Sequence, residues 1–70
     1  MNKSIQLTSG AKLRKYRKRM KLTQKQLGLH AGMEHKYIQR LEGKNPTAVR
    51  IDTVARLAKV LKIPPFKLLQ

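Results

Sequence analysis

The 70-residue sequence contains no cysteine, 3 acidic residues and 2 histidines. Without cysteine there are no disulfides and no thiolate zinc sites, and His30 and His35 cannot form a structural metal site by themselves. Paired carboxylates, a nucleophile with its base and a glycine-rich phosphate loop are also missing, so no common catalytic arrangement is present. We therefore expect a protein that is not an enzyme, needs no cofactor and is held together by packing.

Long apolar runs are absent as well. No run approaches the ~20 residues that a membrane-spanning helix needs, and residues 1–10 lack the continuous apolar segment of a signal peptide. We therefore expect a cytoplasmic protein. A single domain of this length buries only about 60% of the surface of its unfolded chain. We expect a stability of about 5 kcal/mol, which leaves little margin for a buried catalytic cavity. A function at the surface is therefore favoured.

Positive charge is what the sequence has in excess: 17 lysines and arginines give a formal net charge of +14 and a pI of about 11.2. Such a charge predicts a polyanionic partner, which can be nucleic acid, an anionic membrane surface or an acidic protein. Eight of the basic residues lie between Lys12 and Lys25. For most of these eight we favour a solvated helix face that contributes a nonspecific field.

Two helices are predicted in the first half of the chain. The first, over residues 9–20, has apolar residues at helical spacing: Leu13, Tyr16 and Met20. The second begins after the N-cap Thr23, has Gln26 at the capping-box position and ends near Ala31.

The second half adds three more predicted helices. Gly32 reverses the chain, and a third helix follows until Gly43 stops it. A fourth helix, over residues 51–61, has an apolar face made of Ile51, Val54, Ala55, Ala58 and Leu61. Pro65 can begin a final helical turn. Five short helices and an all-α fold class result.

The N-terminal residues 1–8 are a tail or a short strand, and residues 9–70 form the domain. Ile5 and Leu7 alternate weakly, which is compatible with a strand, but we favour a frayed terminus. Five apolar residues are predicted to belong to the core from their spacing and from the usual role of methionine as a core filler: Met20, Leu22, Met33, Ile63 and Phe66. Leu29 and His30 are predicted to lie on an exposed surface, and we assign them no role.

The spacing across the second and third helices is the helix-turn-helix pattern, with apolar residues at the helix contacts and glycine at the bend: Leu27, Gly28, Ala31, Gly32, Met33, Ile38 and Leu41. Two helices that cross steeply over a tight turn need a small residue at the crossing. We expect Gly28 to meet that need and a side chain larger than alanine there to hold the helices apart.

The stretch from Leu13 to Leu69 resembles the phage Cro and repressor-like family, the XRE family of regulators. Three segments carry the match: LRKYRKRMKLTQKQL, HAGMEHKYIQRLEG and TVARLAKVLKIPPFKLL. The resemblance implies a compact five-helix, lambda-repressor-like domain that binds double-stranded DNA. Its third helix would lie in the major groove, and the N-terminus of its second helix would rest on the DNA backbone.

The resemblance also implies roles for individual residues. Gln24 matches a glutamine that holds a phosphate at a helix N-terminus, with Thr23 as the cap beside it. The positions that face the groove or lie near it are Glu34, His35, Lys36, Gln39 and Arg40. Tyr37 lies either near the DNA backbone or at the edge of the core. Phosphate contacts can also come from the loop residues Lys44, Asn45 and Arg50.

These side chains differ in the bases that they can read. Lys36 and Arg40 suit guanine O6 and N7, and Gln39 can pair with adenine. Glu34 can accept from cytosine N4, although the family usually has Ser or Thr there, and glutamate is a poorer N-cap. His35 can donate or accept, depending on its protonation.

Arg17 and Glu42 match an internal ion pair of the family. Its fork geometry would join the first helix to the end of the third. We therefore expect Arg17 to have a structural role and not to contact DNA.

The leading hypothesis is a transcriptional regulator, most simply a repressor, that binds a palindromic operator as a homodimer with half-sites ~34 Å apart. The dimer would pair through Phe66, Leu68 and Leu69 or through the N-terminal strand. The alternative is an antitoxin that represses its own operon and also binds a toxin protein. Membrane binding through the first helix is disfavoured, because its apolar stripe is narrow and fits a core better.

Overall fold

Four α-helices and two short strands make up the described part of the chain, which covers residues 4–6, 10–43 and 48–69 of this computed structural model. In chain order the elements are β1 (Ser4–Gln6), α1 (Gly10–Arg19), α2 (Gln24–Ala31), α3 (His35–Leu41), β2 (Ala48–Arg50) and α4 (Ile51–Leu61), followed by a single 3₁₀ turn (Pro65–Leu68). No helix in these ranges is long and apolar enough to cross a bilayer.

The limits of α2 follow from its sequence. Thr23 Oγ1 accepts from the backbone N–H of Gln26 at 3.0 Å, and the Gln26 side chain accepts from the backbone N–H of Thr23 at 2.9 Å. This reciprocal pair confirms the predicted capping box. At the other end Gly32 has φ 71°, a left-handed conformation that glycine adopts without strain. Both limits of α2 were therefore readable from local residue chemistry.

The turn between α2 and α3 is tighter than we expected from the sequence. The backbone N–H of Met33 donates to the carbonyl of Gly28 at 2.7 Å. A Cβ at position 28 would lie 2.6 Å from the Met33 carbonyl oxygen. Even alanine is therefore too large, and the expectation that only side chains beyond alanine would be excluded was wrong.

A second close approach holds the start of α1 against the end of α3. A Cβ on Gly10 would lie 2.5 Å from both the Leu41 carbonyl oxygen and the Glu42 carbonyl carbon. Only glycine permits this backbone contact without a shift. The contact brings the start of α1 beside the C-terminal end of α3, where the candidate site lies.

In the described ranges the core is one apolar cluster, to which every helix contributes. Its buried residues are Leu13, Leu27, Ala31, Ile38, Leu41, Val49, Val54, Leu57, Ala58, Leu61 and Leu68. Four of the five residues predicted to belong to the core, Met20, Leu22, Met33 and Ile63, are partly buried and pack against this cluster. Phe66 is 54% exposed, so its assignment to the core was wrong. Ile51 and Ala55 are exposed, so their predicted place on the apolar face of α4 was also wrong. The buried face of α4 includes Leu57, which the prediction left out.

Two other expectations are corrected by the structure. The predicted fifth helix is instead the 3₁₀ turn Pro65–Leu68, in which Pro65 has no backbone N–H to donate. Residues of the supposed frayed terminus form β1, which pairs antiparallel with β2 through Ser4–Arg50, Ile5–Val49 and Gln6–Ala48. The strand β2 was not predicted at all.

Candidate nucleic-acid interface

The helix α3 buries one stripe and exposes the rest. Ile38 and Leu41 are fully buried, and Tyr37 is half-buried at the edge of the core. The side chains predicted to face DNA are all exposed: Glu34, His35, Lys36, Gln39 and Arg40. Positions four apart lie above one another on a helix, so His35 with Gln39 and Lys36 with Arg40 form two parallel rows. The helix therefore presents polar and basic groups on a surface that is anchored to the core by Ile38 and Leu41.

An open groove runs beside the first of these rows, between α1, the N-terminus of α2 and α3. It is lined by Arg14, Arg17, Lys21, Leu22, Thr23, Gln24, Lys25, His35, Gln39 and Glu42. Three exposed cations, Arg14, Lys21 and Lys25, stand at its rim, and its single acidic side chain is paired. Thr23 caps only the Gln26 N–H, which leaves the first N–H groups of α2 without an intrahelical partner. The groove therefore favours an anion of phosphate type.

An ion pair at the bottom of the groove ties its elements together. Arg17 Nε donates to Glu42 Oε2 at 2.6 Å, and a second guanidinium nitrogen of Arg17 donates to Glu42 Oε1 at 2.9 Å. The third nitrogen donates to the Leu22 carbonyl at 2.8 Å. The hydrogen bonds to Glu42 raise the pKa of Arg17 above its ordinary value. All the nitrogens of Arg17 are thus engaged, and the pair joins α1 to the end of α3 where the family resemblance places it.

The ion pair also positions the two side chains next to it. Gln24 Nε2 donates to Glu42 Oε1 at 3.2 Å, and Gln24 Oε1 lies 3.3 Å from His35 Nε2. A chain of contacts therefore runs from Arg17 through Glu42 and Gln24 to His35 on α3. Gln24 retains one amide N–H for a further acceptor.

The remaining predicted contacts are placed differently. Thr23 is the N-cap of α2. Lys44 and Asn45 lie outside the described residues. Arg50 is exposed and donates from Nε to Asp52 Oδ1 at 3.0 Å, a contact that lowers the pKa of Asp52. Glu34 is the N-cap residue of α3, and its side chain makes no capping hydrogen bond.

Sequence reasoning missed three residues of the groove: Arg14, Lys21 and Lys25. They were assigned to a solvated face of the first two helices. The available signal was their spacing from residues already singled out, because Arg14 and Lys21 lie three before and four after Arg17. Lys25 directly follows Gln24 at the start of α2.

The fold and this site define a helix-turn-helix protein. The family model for helix-turn-helix proteins matches residues 13–68, and the chain belongs to this family, of the XRE type. Among solved structures, the chain is similar to the restriction-modification controller protein C.AhdI from Aeromonas hydrophila, with a TM-score of 0.77 and 29% identity over 84% of this chain and 88% of that one. No curated protein matches the chain in sequence. It is a DNA-binding transcription regulator.

Proposed function

We propose that the chain is a repressor that binds a short palindromic operator in double-stranded DNA as a homodimer, with α3 in the major groove. The observation that carries the proposal is the arrangement of α3, whose exposed polar face lies directly beside a cationic groove at the N-terminus of α2. Base edges and a phosphate of the same half-site could then be contacted together. The similarity to C.AhdI makes a restriction-modification gene set a candidate target.

The proposed contacts divide into those that position the protein and those that read sequence. The free amide N–H of Gln24 and the N-terminal N–H groups of α2 would hold a phosphate, with the half-buried Tyr37 contacting a neighbouring one. Lys36 and Arg40 would read guanine, and Gln39 adenine. Glu34 would accept from cytosine N4. Arg14, Lys21 and Lys25 would add a salt-dependent attraction of α1 and α2 to the backbone.

A homodimer is proposed because a seven-residue recognition helix spans few base pairs. Of the surfaces considered for pairing, the C-terminal turn is favoured through Phe66, which is 54% exposed, and the half-buried Leu69. Leu68 is buried in the core, so it is not available to contribute to that pairing surface. The N-terminal strand already pairs with β2 of its own chain, which uses one of its edges.

Two alternatives receive less support. Membrane binding through α1 would need an exposed apolar stripe, but Leu13 is buried and Tyr16 and Met20 pack against the core. Catalysis would need a set of reacting groups, whereas the acidic side chains Glu42 and Asp52 are held in ion pairs with arginine. We therefore propose a regulator without catalytic activity.

The test is selection of binding sites from a random duplex pool at ~150 mM salt, where nonspecific contacts are weakened. The wild type is compared with Lys36→Ala and Arg40→Ala, and with Lys59→Ala as a control that removes an exposed cation from α4. We expect a two-fold symmetric site whose guanine preferences relax in the α3 variants and persist in the control. Absence of any enriched sequence would refute operator binding by this chain.

A further inference from the structure

We propose that the Arg17–Glu42–Gln24 chain fixes the ring proton of His35 on Nε2, so that neutral His35 presents Nδ1 as an acceptor and selects a base with an exocyclic amino group. The inference rests on the proposed function for its second half, base selection. Its first half, the position of the proton, is a property of the free protein.

The Glu42 side chain is held as a hydrogen-bond acceptor by Arg17. This carboxylate side chain is 3% exposed and accepts two hydrogen bonds from the Arg17 guanidinium, at 2.6 and 2.9 Å. A carboxylate paired in this way with arginine is ionised and can only accept hydrogen bonds.

The contact with Glu42 determines the orientation of the Gln24 amide. Because the Glu42 carboxylate can only accept, the group of Gln24 that lies 3.2 Å from Glu42 Oε1 must be its NH₂. The amide oxygen of Gln24 then points the other way, toward His35. The buried ion pair thus removes the rotational ambiguity that an isolated glutamine side chain would have.

The contact with Gln24 determines which ring nitrogen of His35 carries the proton. His35 Nε2 lies 3.3 Å from the Gln24 amide oxygen, which is an acceptor, so Nε2 must carry a proton. In the neutral ring Nδ1 is then unprotonated. No other side chain in the described ranges forms a hydrogen bond with His35, and the residue is exposed on the groove-facing row of α3.

An acceptor at Nδ1 of His35 distinguishes bases by the donors that they present. In the major groove, adenine N6 and cytosine N4 are donors, whereas guanine offers only acceptors. A fixed Nδ1 acceptor would therefore favour adenine or cytosine at one position of each half-site, by about two- to tenfold, the range of one hydrogen bond.

Acid would reverse this preference, because protonated His35 donates from both nitrogens and cannot accept. The charged groups that face His35 across the groove are Arg14, Lys21 and Lys25 at the rim and the Arg17–Glu42 pair at the bottom. On α3 itself the nearest charges are those of Glu34 and Lys36, which flank it in sequence. The unpaired charges around the groove are therefore mainly positive.

The position of the proton is tested without DNA by long-range ¹⁵N–¹H NMR of the histidine rings at pH 8. His30 serves as an internal control, since it is exposed and no described residue forms a hydrogen bond with its side chain. We expect His35 to be entirely the Nε2–H tautomer, His30 to be a mixture, and Gln24→Ala to return His35 to a mixture like that of His30. A mixture at His35 in the wild type, or an Nδ1–H tautomer, overturns the proposal.

Base selection is tested by repeating the site selection at pH 8 and pH 5.5 with the wild type and His35→Ala. We expect a preference for adenine or cytosine at one position per half-site at pH 8, a shift toward guanine at pH 5.5, and no preference there with His35→Ala. A symmetric site whose bases are the same for both proteins and both pH values overturns base reading by His35. If no site is enriched at all, the proposed function fails, and with it base reading, while the tautomer result stands by itself.

Discussion

Replacing Arg17 with methionine should cost this domain most of its stability. The side chains of Arg17 and Glu42 are 9% and 3% exposed, so water can compensate little for the lost partner. Within the described residues, Arg17→Met leaves the Glu42 carboxylate with one hydrogen bond, from Gln24, and removes the donor of the Leu22 carbonyl. Removing one member of a buried pair costs about 3–5 kcal/mol because the remaining charge is buried without its counterion.

This loss is large compared with the whole stability expected of so short a chain, about 5 kcal/mol. At about 4–8 °C per kcal/mol for a domain of this size, even the lower limit of the loss lowers Tm by at least about 12 °C. The assay is urea and thermal unfolding followed by far-UV circular dichroism. Lys18→Met is the matched control, because Lys18 is an exposed cation on the same helix, and we expect it to change stability by less than about 0.5 kcal/mol.

A double variant separates the lost ion pair from the lost packing. Arg17→Met combined with Glu42→Leu buries no unpaired charge, so it should be more stable than Arg17→Met alone by at least about 1 kcal/mol. If Arg17→Met instead costs less than about 1 kcal/mol, the pair behaves like one at the surface, and the reasoning from its burial is refuted.

Three further predictions concern the helix ends and the crossing. Gly28→Ala should lose up to about 2 kcal/mol in urea unfolding, because overpacking of about 1–3 kcal/mol against the Met33 carbonyl exceeds a helix-propensity gain of about 1 kcal/mol; a more stable variant would contradict this. Thr23→Ala should lose about 1 kcal/mol with the capping box, and an unchanged midpoint would show that the cap contributes nothing. Because the pKa of Asp52 is lowered in the folded protein, the ion pair with Arg50 stabilises the fold at pH values above the ordinary aspartate pKa. This stabilisation is lost as the pH falls through the lowered pKa of the folded state. Asp52→Asn should therefore be less stable than wild type at pH 7, and this deficit should shrink as the pH falls below the ordinary aspartate pKa; a deficit that does not change with pH would disprove the assignment.

The sequence predicted those parts of the fold that local chemistry determines. The limits of α2 were readable because Thr23, Gln26 and Gly32 act on backbone groups within a few residues. The pairing of β1 with β2 was not, because each strand has only three residues and its partner is distant in the chain. Neither strand is long enough to show a clear alternation of apolar and polar residues.

The candidate site, too, was predictable only where local residue patterns determine it. The side chains that the family resemblance places toward DNA are exposed, because the helical period of α3 turns them away from the stripe that buries Ile38 and Leu41. The groove was not foreseen as a unit, because it forms only when the close contact of Gly10 with the end of α3 brings α1 alongside. The contact between Gln24 and His35 likewise depends on how α2 and α3 cross, which periodicity alone does not specify.

The Arg17–Glu42 pair is better explained by what it positions than by its net contribution to stability. Replacing a buried ion pair with apolar residues of similar volume is often neutral or stabilising, because desolvation offsets much of the attraction between the charges. Apolar side chains at positions 17 and 42 would nevertheless remove the acceptor that orients Gln24. The Gln24 amide could then turn, and His35 would lose its fixed acceptor while the core stayed closed. Unfolding and DNA reading should therefore respond differently in the double variant, since the fold needs only that no charge is left unpaired, whereas reading needs the carboxylate itself.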